Sequence, residues 1–132
     1  MNRRTLLGGA AALLAQAVLS SAQSAGPKVV FAHALPELNL KDWSVTAVEV
    51  SYGPGESSAA HRHPGITIAY VLEGEIRSKV GDDPEKTYAS GEMFMETPNQ
   101  LHGVSGNASK IRPARLLAIL LAEKGKQLTT PA

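Results

Sequence analysis

The sequence contains no cysteine. That absence excludes a disulfide framework, an iron–sulfur cluster, a zinc knuckle and a thiol nucleophile, and it leaves nitrogen and oxygen ligands for any metal. An excess of either charge is also missing. Thirteen Lys and Arg face twelve Asp and Glu, for a formal charge of +1. This balance carries no electrostatic footprint for nucleic acid. Nor is there an apolar run long enough to span a bilayer: the longest, Leu6 to Leu19, falls short of the ~20 residues a crossing needs. With 132 residues, 43% of them hydrophobic, the chain has material for one globular domain and not for two.

What is present begins with a leader. Residues 1–22 read as a basic start, an apolar stretch and then small residues, the order of a cleavable export signal helix. Arg3 and Arg4, followed by Thr5, Leu6 and Leu7, resemble a twin-arginine signal, which exports proteins already folded. Ser20 and Ala22 have the spacing a signal peptidase prefers, so the mature chain is expected to start near Gln23, with Ala25 as a competing site. The expected location is periplasmic or secreted, with no stable membrane association after cleavage. No Cys follows the apolar run to carry a lipid.

From Val29 onward, Gly, Pro, Asn and Asp clusters cut the chain into short apolar or alternating runs, the spacing of many strands. Strands are predicted at Val29 to Ala34, Val45 to Tyr52, Ile66 to Glu73, Glu75 to Val80, Lys86 to Tyr88, Glu92 to Glu96, Leu101 to Ser105 and Ala114 to Leu121. The fold class is therefore all-β, with residues 23–132 forming one domain and 123–132 a polar, loose tail. The last predicted strand is rich in Leu and Ala, which favour helix, but its length and the preceding Pro113 favour strand. It and Ile66 to Leu72 read as apolar on both faces, so both sides need cover. A second copy of the chain would supply it, and a homodimer is expected.

Four histidines follow the leader: His33, His61, His63 and His102. On an extended strand His61 and His63 point to the same face with Cα atoms about 6.6 Å apart, close enough for both imidazoles to reach one ion at about 2.1 Å. His102 meets them only if the sheet folds back on itself, as in a barrel. Around these residues lie Gly53-Pro54-Gly55-Glu56, Tyr70 to Glu75, Gly91-Glu92 and Pro98-Asn99-Gln100-Leu101-His102. This arrangement resembles the cupin family. One cupin motif runs from Gly55 through His61 and His63 to Gly74, and the other from Gly91 through Thr97 and Pro98 to His102.

The resemblance implies a double-stranded β-helix, the cupin jelly-roll barrel, with a divalent transition metal (Fe, Mn, Ni, Cu or Zn) inside, held by His61, His63 and His102. It also implies a glutamate as fourth ligand seven residues before Gly74, a position occupied here by Thr67. A neutral hydroxyl is a poor ligand for a divalent ion. Three neutral imidazoles would leave the ion its full double charge, favouring an anionic or enolisable ligand. Gln100, two residues before His102, is a further candidate ligand, whereas Glu96 reads as a solvated surface charge. His33 reads as a surface or interface histidine, Met93 to Met95 and Trp43 as packing residues, and Tyr70 as a hydrogen-bond partner behind the site.

The function expected from this reading is a metal-dependent enzyme of the dioxygenase, isomerase or lyase type acting on a small molecule. A metal- or ligand-binding module without turnover is the alternative, and a structural barrel with hydrogen-bonded histidines a third. No general base is identifiable from the sequence.

Overall fold

The computed structural model describes residues 26–132; the leader, with Arg3, Arg4 and both candidate cleavage sites, lies outside the described residues. The described chain forms ten strands. They are β1 (Trp43–Tyr52), β2 (Ser57–Ser58), β3 (His61–Arg62), β4 (Ile66–Glu73), β5 (Glu75–Val80), β6 (Lys86–Ala89), β7 (Met93–Glu96), β8 (Leu101–Asn107), β9 (Ala114–Glu123) and β10 (Thr130–Pro131). The seven longer ones coincide with predicted strands to within two residues at either end.

Two antiparallel sheets face each other, ordered β1-β9-β4-β7 and β10-β3-β8-β5-β6, with β2 paired to β8. This is the jelly-roll barrel. Alternation decides the inside: β9 buries Ala114, Leu116, Ala118, Leu120 and Ala122, as the two-residue period of a strand requires. The first four of these, with Tyr52, Ala69, Val71, Ile76 and Phe94, build the core between the sheets. Val71 and Ile76 are fully buried, each contributing roughly 1.5–3 kcal/mol by burial. The hairpin between β4 and β5 turns on Gly74 at φ 70°. A Cβ there would stand 2.5 Å from the Pro113 carbonyl oxygen, so only glycine fits.

Two expectations need correcting. Val29 to Ala34 forms no strand: its β-branched residues have the propensity, but Val29 and Val30 are 82% and 64% exposed and pair with no sheet edge. Propensity without a pairing partner does not make a strand. The tail 123–132 is not loose over its whole length, because Leu128 packs against the core and β10 pairs with β3. β9 and β4 are apolar on both faces, as expected: their inward residues are buried, and the outward Leu117, Ile119, Leu121 and Ile68 are only half-covered within one chain.

Candidate metal centre

β3 pairs antiparallel with β8, and His61 stands directly opposite His102. Their ring centroids are 4.9 Å apart, and those of His61 and His63 are 4.8 Å apart. His102 reaches this inner face through an irregularity. Where β5 advances one residue from Lys79 to Val80, β8 advances two, from Val104 to His102, so Gly103 is extra. Such a bulge resets the alternation, allowing His102 and Ser105 to face inward together.

Glu96 completes the cluster. Phe94 and Glu96 are the buried residues of β7, and Thr67 of β4 is the cross-strand partner of Glu96. The Glu96 carboxylate, expected at the surface, is 2% exposed. One ligand atom from each of His61, His63, Glu96 and His102 lies within 4.8 Å of the others. Atoms bound to one ion at about 2.1 Å stand roughly 3–4 Å apart, so small side-chain rotations bring the four together. A three-imidazole centre without charge compensation is therefore not what the chain offers: the carboxylate missing at Thr67 is present on the next strand.

Hydrogen bonds orient each ring. Nδ1–H of His61 donates to the Ala59 carbonyl at 2.8 Å, leaving Nε2 toward the cluster. Nδ1–H of His63 donates to the Leu128 carbonyl at 2.8 Å, with Thr129 Oγ1 at 3.2 Å, and its Nε2 lies 3.6 Å from Glu96 Oε2. His102 is turned the other way: Nε2 is 2.8 Å from Ser78 Oγ, and Nδ1 faces Glu96 Oε1 at 3.0 Å. These assignments of the ring protons follow from the partners. Although so close, His102 Nδ1 and Glu96 Oε1 are misaligned for a hydrogen bond, and both remain without a partner, as does the buried Thr67 Oγ1. Buried polar atoms are rarely left so. A cation between the two would satisfy both, so the residues fit a divalent ion. His61 titrates below the ordinary 6.5, chiefly through burial, opposed by its bond to Ala59 and by Glu96, and reinforced by the other two histidines. Its neutral, metal-binding form is thus favoured.

The remaining candidates lie elsewhere. Gln100 Oε1 accepts from the Thr97 amide at 3.0 Å, holding the turn before β8, because the step to His102 crosses that turn and not a strand. His33 is exposed and bonded to the Ala34 carbonyl. Tyr70 points outward on β4. Tyr52 is the tyrosine that meets the cavity: its hydroxyl lies 2.7 Å from Ser58 Oγ and 2.9 Å from Ser105 Oγ, joining the two sheets. Glu96 could have been found from the period of two through Phe94; Tyr52 had no local signal.

The cluster opens into a cavity of about 630 Å³ between the sheets, within the usual range for small-molecule sites. Its walls include Val50, Ala69, Phe94, Leu116, Leu120 and Leu128.

Residues 48–120, more than half of the sequence, match the cupin domain family. This chain belongs to the cupin family. No curated protein matches it in sequence. Among solved structures, this cupin is similar to the DMSP lyase DddQ from Ruegeria pomeroyi, at TM-score 0.59 and 19% identity over 67% of this chain and 43% of that one. A cupin-like protein from Thermotoga maritima gives TM-score 0.59 and 20% identity over 67% and 64%. An oxalate oxidase in complex with glycolate gives TM-score 0.51 and 18% identity over 76% and 66%. The cupin thus spans less than half of the lyase chain and just under two thirds of the Thermotoga one, and the likeness is one of fold.

Proposed function

We propose that this cupin is an exported, metal-dependent enzyme of the dioxygenase, isomerase or lyase type, acting on a small organic molecule. His61, His63 and His102 act as ligands, and Glu96 as the fourth. The observation that carries the reading is the pair of buried, partnerless atoms, Glu96 Oε1 and His102 Nδ1, 3.0 Å apart at one end of a cavity. A bound divalent ion would supply Lewis acidity toward a substrate oxygen. The chain's own part is to fix the imidazoles through Ala59, Leu128 and Ser78, to offset one unit of charge with Glu96, and to keep the far wall apolar. Structural neighbours named as a lyase and an oxidase support chemistry on small molecules. Elemental analysis of protein purified from its native compartment tests the reading. We expect near-stoichiometric metal in the native chain and its loss in His61→Ala and His102→Ala; equal metal content in all three overturns it.

Export by the leader and a homodimer belong to the same proposal. The outer face of the four-stranded sheet supports the dimer, with Val45 and Leu121 in one row and Ala47, Ile119, Ile68 and Met95 in the next. A monomeric mass by light scattering refutes the dimer, and full-length protein retained in the cytoplasm or membrane refutes export.

A further inference from the structure

The walls of the cavity say what kind of molecule fits it. Among the described residues, no Lys or Arg lines the space, and the one acidic side chain there is Glu96. Away from the cluster the lining is mainly aliphatic and aromatic, interrupted by neutral hydroxyls. Three of these, on Tyr52, Ser58 and Ser105, share two contacts among themselves. Three O–H groups with two mutual bonds leave one donor to spend outside the trio. That donor can meet a neutral oxygen of a ligand, but it cannot balance a second negative charge.

The charge count at the cluster points the same way. Three neutral imidazoles and one carboxylate leave a divalent ion with a single net positive charge, which one anionic head group neutralises. A second carboxylate on the same ligand would lie against apolar wall, with part of its water removed and without a cation to replace it.

Resting on the metal reading above, we propose that the cavity takes a single-headed ligand, a monocarboxylate, phenolate or enolate with an apolar body, and discriminates against dicarboxylates of the same length.

Hexanoate and adipate test this, because they share a six-carbon chain and differ only in the distal carboxylate. The full chain is loaded with manganese(II), its metal content is measured, and each acid is titrated by calorimetry, with EPR of the bound ion reporting whether the head group reaches it. We expect hexanoate to bind at least about tenfold more tightly than adipate. Val48 lines the cavity while remaining 39% exposed, so it tolerates a long polar side chain at the mouth. Val48→Arg should narrow the difference by offering the distal carboxylate a partner. Retained manganese with equal or tighter adipate binding, with no hexanoate binding, or with a difference that Val48→Arg leaves unchanged overturns this inference alone. Failure to retain manganese overturns the metal reading and this one with it.

Discussion

Thr67 and Glu96 stand directly opposite each other across β4 and β7, so the carboxylate absent from one strand is delivered to the cluster by its neighbour. Directly opposed residues have Cβ atoms about 5 Å apart, a separation a glutamate side chain readily spans.

Glu96→Gln keeps the shape and removes the charge. Metal affinity should fall at least about tenfold, read by calorimetry with manganese or zinc. Thr67→Glu alone should not raise affinity, and it should lower Tm, because it sets two carboxylates side by side in a buried wall. Exchanging the pair, Thr67→Glu with Glu96→Thr, should recover much of the loss. If Glu96→Gln binds metal as tightly as the native chain, the fourth-ligand assignment is wrong.

Ser78→Ala removes the partner of His102 Nε2. Removing such a support behind a ligand typically costs 10–100-fold in metal affinity, and a buried ring nitrogen left unpaired costs about 1–3 kcal/mol of stability. Ser78→Thr, which keeps the hydroxyl, should lose less of both. Calorimetry and thermal melts read the two effects separately.

A chain ending at Gln127 loses the Leu128 carbonyl that fixes His63, the Leu128 side chain packed on the core, and the pairing of β10 with β3. Metal affinity and Tm should both drop. Thr129→Val separates the contributions, since it leaves the carbonyl in place and should change affinity little.

Deleting Gly103 removes the extra residue of β8. A one-residue shift turns every side chain on one flank to the other face, so either His102 or the Ser105 side of the strand must turn outward. Metal binding should be lost even where circular dichroism retains the β signal. Gly103→Ala is the control: a Cβ there meets nothing within 4 Å, and binding should survive.

The metal-free protein should lose stability on acidification. The folded state holds the His61 pKa below its ordinary 6.5, chiefly through burial. Between the lowered value and 6.5 the unfolded chain binds more protons than the folded one, so stability rises with pH across that window and falls as pH drops through it. Melts in chelator from pH 8 to pH 5 should show the decline, and His61→Gln should flatten it. An unchanged slope in the variant would place the effect on another group.

The seven longer strands were legible because each carries its own signal: turn glycines and prolines at the ends and a period of two within. Strands β2, β3 and β10 span only two residues each. Such segments hold too little pattern to read and exist because a neighbouring edge pairs with them. The opposite error, a strand at Val29 to Ala34, has the same cause. His61 and His63 could be paired from spacing, and the family motifs added His102. Gln100 stands away from the cluster because a turn breaks the strand step between it and His102, and Glu96 departs from the rule that charged residues ordinarily face water.

The amino-acid order by itself determined the β architecture, the absence of thiolate ligands and the pairing of His61 with His63, since composition and two-residue periodicity are local properties of the chain; His102 came with the resemblance to the cupin motifs. Tertiary structure alone decided which carboxylate joins the imidazoles, which carbonyl orients His63, and that no Lys or Arg among the described residues lines the cavity. Those facts depend on cross-strand register and on a distant segment folding back over the barrel, contacts between residues whose sequence separation carries no local signal.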